Sequence, residues 1–234
     1  YSGVTAHVLD ASKSVAVVSA LIGEDEDTRS NFILDTKKEY ERVRVQRGNR
    51  KSNKKYLTIN KARANKLELD WDNYTPGNGA DYPDSFLGEQ MKSLAQLYKS
   101  DVGLEVAYVP TGGWDTHTGQ GSGITGTFAD LTSNLSQSLY ALYQDLTASH
   151  EGQFTIIVQS EFGRRAYQNS DSSTDHGYGN PMFIIGDEVV PGFHGQFPGL
   201  ASNQLYQGDD LDVTVDYRDV VSEVLMKRMK NRFL

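Results

Sequence analysis

The chain has 234 residues, 38 % of them hydrophobic and 23 % charged, the balance of an ordinary globular protein large enough for a sizeable core. Its formal net charge of −8 argues against a nucleic-acid binder, which needs a basic face against phosphates, but leaves room for an anionic small molecule beside a bound metal. The absence of cysteine removes disulfides, thiolate zinc sites and a cysteine nucleophile together, and no run reaches the roughly 18 to 20 apolar residues that span a bilayer.

Residues 1–12 lack periodicity and read as an incoming connection. Ser14 to Ile22 (SVAVVSALI) is an apolar, β-branched run ending at Gly23, the pattern of a buried strand. The acidic block Glu24 to Asp27 lacks the alternation of a calcium loop and reads as a solvated turn. From about residue 35 to 70, lysines and arginines predominate around a few apolar residues, predicting a peripheral basic helical segment. Thr75 to Gly79 (TPGNG) is a loop. Asp84 or Ser85 then caps a helix with Leu87, Met91, Leu94, Ala95 and Tyr98 on one stripe.

Leu104 to Val109 predicts a strand, and residues 124–148 a long helix with Phe128, Leu131, Leu135, Leu139, Leu142, Tyr143 and Leu146 on its apolar face. Phe154 to Val158 (FTIIV) is a second unbroken apolar strand, and Met182 to Ile185 a third. Residues 191–210 read as a surface loop, and a final helix from about Asp216 to Lys230 turns Val220, Val221, Val224 and Leu225 inward. Helices alternating with unbroken apolar strands predict an α/β fold: a mainly parallel sheet covered by helices on both faces, within one domain spanning 1–234. Ligands of such sheets bind beyond the carboxyl ends of the strands.

Three loops at that rim carry groups with chemistry. Asp115 and His117 in GGWDTH are one residue apart, so an extended loop points both to the same side. Carboxylate with imidazole suits zinc, manganese or iron, whereas magnesium and calcium prefer oxygens alone. Glu161 in SEFGR follows the FTIIV strand, and Arg164 offers a guanidinium suited to a bound oxyanion. Asp175 and His176 in TDHG put two ligand types side by side. Because His176 precedes the strand 182–185, its joining the others requires that strand to run antiparallel, or its loop to cross the rim. A turn aspartate, a strand-end glutamate in a local salt bridge and an Asx turn are the plainer readings of these loops. Of the other histidines, His7 has only Asp10 as a ligand-type neighbour, His150 ends a helix, and His194 lies in a loop.

Tyr82-Pro83, Leu94-Ala95-Gln96-Leu97, GGWDTH with Gln120, SEFGR, Asn169, TDHG, Asn180-Pro181-Met182-Phe183, Gly186, Pro198-Gly199-Leu200 and Asp216-Tyr217-Arg218 follow one another in an order that resembles the DUF1501 family over about residues 80–225. The resemblance implies the alkaline-phosphatase-like superfamily, with its sulfatases, phosphatases and phosphodiesterases, a two-metal site and an exported, periplasmic or secreted location. It implies divalent metal ions, among zinc, manganese, calcium and magnesium, and a small anionic ester as substrate. By resemblance, Asp115, His117 and His176 belong to one metal and Glu161 to a second. Asp175 serves either metal or orients His176, and Arg164 contacts the oxyanion. No segment resembles the superfamily's nucleophile motif, and without cysteine a formylglycine is excluded, so the chain reads as the C-terminal part of such a domain. A non-catalytic exported binding protein that keeps one metal is the alternative.

Overall fold

The computed structural model describes residues 7–8, 16–22, 73–100, 104–150 and 154–228. The acidic block at 24–27 and the basic segment at 35–70 lie outside the described residues. Strand β1 (His7–Val8) occupies part of the stretch expected to be an irregular connection, and β2 (Ala16–Ile22) occupies the first apolar run. Helix α1 (Phe86–Lys99) starts where the capping residues place it. Ser85 is the N-cap: its extended backbone leaves the hydroxyl free to accept from the Gly88 amide at 3.1 Å, one of the donors that a first helical turn leaves without a partner. The predicted stripe is buried throughout, from Leu87 to Tyr98.

Strand β3 (Leu104–Tyr108) is followed by a long loop and then by α2 (Thr127–His150). Leu135, Leu139, Leu142 and Leu146 are buried along α2, as their spacing of three and four residues requires. Strand β4 (Phe154–Ser160) has its first five residues buried. The short strands β5 (Gly163–Arg164), β6 (His176–Gly177) and β7 (Phe183–Ile185) follow, then α3 (Tyr217–Arg228). Val220, Val221, Val224 and Leu225 are only half-buried on α3. That helix is held instead by Arg228, whose Nε donates to the buried Thr155 hydroxyl of β4 at 2.6 Å and whose Nη1 pairs with Glu188 at 2.9 Å.

In the larger sheet β3 has β1 and β2 as neighbours, and β4 has β2 and β7; β5 and β6 form a separate ribbon. Every pairing with a described register is antiparallel: His7 opposite Val106, Ile157 opposite Ile184, and Gly163 opposite Gly177. The expectation of a mainly parallel sheet covered by helices on both faces is therefore overturned. Unbroken apolar runs report burial and carry no information on strand direction. Here β5, β6 and β7 are two- and three-residue strands joined through loops, where a parallel partner would need a crossover of a dozen residues or more. The antiparallel course required of residues 182–185 is met, since β7 pairs with β4 through Ile156–Ile185, Ile157–Ile184 and Val158–Phe183.

The chain divides into two compact units, the first comprising residues 1–18, 25–109 and 134–154, the second 19–24, 110–133 and 155–234. In the first, the fully buried Asp145 of α2 accepts from the hydroxyls of Tyr74 and Tyr82, each at 2.8 Å, and from the Gly77 amide at 2.6 Å, and pairs with Lys99. One carboxylate thus ties the loop before α1 and the end of α1 to α2, with Ser85 to Asn134 at 2.7 Å as a second tie. Burial, then Asp145, pushes the tyrosine hydroxyls well above their ordinary range. Tyr143 meets Phe154 edge-on at 5.8 Å beside this core.

Candidate metal centre

All of the candidate site lies in the second unit. Beyond β3 the chain turns sharply, with Gly113 at φ 86 and amide bonds from Thr116 to the Trp114 carbonyl at 2.9 Å and from His117 to the Asp115 carbonyl at 3.1 Å. Trp114 and Thr116 are buried, and Asp115 and His117 are half-buried. The one-residue spacing thus sends the anchoring side chains inward and both candidate ligands to the other side. Trp114 is fixed edge-on against Phe128 of α2 at 5.9 Å.

The ribbon β5–β6 supplies the other half. Its register sets Arg164 opposite His176 and Gly163 opposite Gly177. A Cβ at Gly163 would lie 2.2 Å from the Gly179 carbonyl oxygen, and one at Gly177 would lie 2.3 Å from the Arg164 carbonyl carbon. Only glycine fits at either place, which explains the residues flanking Arg164 and His176 in the two motifs.

Three side chains converge. Asp115 Oδ1 lies 2.8 Å from His117 Nε2 and 2.5 Å from His176 Nε2, and one ligand atom from each residue falls within 4.8 Å of the other two. The two imidazoles are 4.8 Å apart between centroids, and Phe162 stacks on His176 at 4.0 Å and 10°. Two nitrogens and a carboxylate suit a transition-metal ion such as zinc. Ligand atoms around a tetrahedral zinc stand roughly 3.3 Å apart at bond lengths of 2.0–2.1 Å, so the two imidazole nitrogens, at 2.8 and 2.5 Å from Asp115 Oδ1, would draw back from the carboxylate to share an ion with it.

His117 is backed by a second carboxylate. Its Nδ1 lies 2.9 Å from Asp175 Oδ1, which also accepts from Asn169 Nδ2 at 3.1 Å. The bond to His117 first, and that to Asn169 second, hold the Asp175 carboxyl below its ordinary pKa. A carboxylate behind an imidazole is the usual way for a metal-binding histidine to be fixed in tautomer and orientation. Arg164 donates from Nη1 to the Thr174 carbonyl and from Nη2 to the Trp114 carbonyl at 2.5 Å, with Nη2 also 3.9 Å from Asp115 Oδ1. Burial lowers its pKa, against the raising effect of Asp115 and Asp175. The guanidinium joins the two ligand-bearing loops through their carbonyls.

Residues 14–231 match the family described as "Protein of unknown function (DUF1501)". The chain belongs to the DUF1501 family. No solved structure matches it.

Of the residues singled out in this DUF1501 chain, Asp115, His117 and His176 come together, and among the described residues they are the group of His, Asp and Glu side chains close enough to share an ion. Asp175 lies beside the cluster and bonds to His117, not to His176. Glu161 stands exposed just past the end of β4 and outside the cluster. His194 bonds to the Val190 carbonyl at 2.8 Å within its own loop. Phe162 and Asn169, named in the sequence only as members of the family's motif order and given no role there, also touch the site.

Proposed function

We propose that this DUF1501 chain is a metal-dependent hydrolase of sulfate or phosphate esters, as the superfamily its motifs resemble implies. The convergence of Asp115, His117 and His176 carries the reading: two half-buried ligands from one loop and an exposed one from the β5–β6 ribbon are held by a carboxylate, a stacked ring and a guanidinium that all serve to position them. A divalent ion held there would supply positive charge to an ester oxygen. Asp115, His117 and His176 bind it, Asp175 holds the His117 ring, and Arg164 keeps both loops in register. The positive charge of Arg164, close to Asp115, also favours an anionic group at the same mouth. Trp114 and Thr116, both buried, anchor the loop that carries Asp115 and His117.

The test is hydrolysis of generic aryl sulfate and aryl phosphate esters by protein loaded with zinc or manganese. Turnover of one ester class, lost in His117→Ala, supports the reading. The separation of Glu161 from the cluster favours a second one, a binding protein that keeps a single metal without turnover. Metal retention with no hydrolysis of either ester selects it.

A further inference from the structure

Asn169 sits eight residues before Gly177, in a stretch of Ser and Asp residues, and no chemistry of its own recommends it. Its bonds do. Oδ1 accepts the amides of Asp171 and Ser173, both at 3.0 Å, so the orientation of the side-chain amide is dictated by its surroundings. The Nδ2 group is thereby aimed at the cluster. It donates to the His117 carbonyl oxygen at 2.9 Å and to Asp175 Oδ1 at 3.1 Å. Asp175 Oδ1 in turn meets His117 Nδ1 at 2.9 Å. Asn169, Asp175, the imidazole and the main chain of His117 form a closed circuit, with the ligating Nε2 on the far side of the ring.

The side chains of His117 and Asp175 are 42 % and 48 % exposed, so packing alone leaves both free to rotate. Asn169 has a firm seat: its own amide donates to the Ser173 carbonyl at 2.8 Å, Ser172 takes φ 56 to close the turn, and the buried Ser173 hydroxyl accepts from the Gln120 amide at 2.9 Å. The Asn169 amide is therefore a tie between the loop that carries His117 and the loop that carries Asp175, beside those made by Arg164 and Gln120. Among the described residues it alone acts on both His117 and the carboxylate behind its ring.

We propose that Asn169 is a positioning residue of the metal centre, holding the His117 ring in its ligating orientation through Asp175 and the His117 carbonyl. This rests on the metal reading above. The informative variant is Asn169→Asp. The carboxylate is nearly isosteric, and one of its oxygens still accepts the Asp171 and Ser173 amides, so the turn survives. Its other oxygen faces two acceptors, the His117 carbonyl and Asp175, where a donor had stood. A role confined to the turn predicts wild-type behaviour, and a positioning role does not.

The measurement is titration of the full chain with cobalt(II), following its visible absorption, and with zinc by competition. Wild type is expected to bind with a cobalt spectrum of a nitrogen- and oxygen-ligated ion. Asn169→Asp is expected to bind both ions roughly ten- to a hundredfold more weakly, the range found when groups behind a ligand are removed, with an altered cobalt spectrum and unchanged circular dichroism. Asn169→Ala, which loses the turn bonds as well, is expected to bind at least as weakly as Asn169→Asp. Equal affinity and an identical spectrum in wild type and Asn169→Asp overturn the proposal and leave the metal centre standing. No cobalt or zinc binding by wild type overturns both. Unfolding of Asn169→Asp, read from its circular dichroism, also overturns it, because the turn bonds are then the role that matters.

Discussion

Arg164→Ala probes how the two ligand-bearing loops are held together. The guanidinium bonds the carbonyls of Trp114 and Thr174, and its side chain is 22 % exposed. Each hydrogen bond to a charged donor contributes about 1.5–3 kcal/mol. Part of that is recovered when water reaches the vacated carbonyls, so the expected loss of stability is about 2–4 kcal/mol. Arg164→Lys keeps the charge and loses the planar fork, and one ammonium cannot serve both carbonyls with the same geometry, so an intermediate loss is expected. Urea denaturation measures both, with midpoints compared at unchanged slope. Metal affinity should fall with the same ranking, since Asp115 and His176 sit on the loops that Arg164 joins. Arg164→Ala within about 0.5 kcal/mol of wild type, or Lys and Ala variants that behave alike, would refute the reasoning.

Other consequences concern the two units separately. Asp145→Ala removes the acceptor shared by Tyr74, Tyr82, Gly77 and Lys99 and leaves donors facing a cavity, a loss of about 3–5 kcal/mol visible as a thermal shift of several degrees. Tyr74 and Tyr82 have hydroxyl pKa values raised by burial and then by Asp145. Their contribution is complete below the unfolded value of about 10 and is lost as pH rises through the higher folded values. Stability should therefore decline in alkali above about pH 10, with a shallower decline in the Tyr74→Phe/Tyr82→Phe variant, followed by urea midpoints across that range. Gly177→Ala places a Cβ against the Arg164 main chain, which should cost about 1–3 kcal/mol and weaken cobalt binding by displacing His176. Wild-type cobalt affinity in a stable Gly177→Ala protein would contradict the close approach.

Helices were the most legible part of the sequence. The stripe Leu87 to Tyr98, the Ser85 cap and the leucine spacing of α2 each state their outcome locally, because a helix satisfies its own backbone and needs only one apolar face. The strands gave their positions but not their directions: FTIIV reads the same whichever neighbour it pairs with. The ordering of His176 before β7 carried directional information, and the antiparallel pairing of β4 with β7 agrees with it. Asp115, His117 and His176 were legible only together: each motif alone reads as a turn, and several ligand-bearing loops in one chain reinforce one another. Glu161 looked equivalent by residue type and strand-end position, yet it stands outside the cluster. Asp145 was invisible as an anchor, since a helical aspartate three residues after Leu142 reads as surface until Tyr74, Tyr82 and Lys99 are seen to surround it. Asn169 was visible as a member of the family's motif order but not as a partner of the site. Its importance lies in bonds between residues 52 and 6 positions apart in sequence, which no local pattern records.

The metal content of the intact chain tests the central claim most directly. Protein stripped with a chelator, reloaded with zinc or manganese and freed of excess should retain a divalent ion by elemental analysis, and His117→Ala and His176→Ala should lose it while keeping wild-type circular dichroism. A wild-type chain that retains neither metal, or a His117→Ala chain that retains as much as wild type, would contradict a centre built on Asp115, His117 and His176.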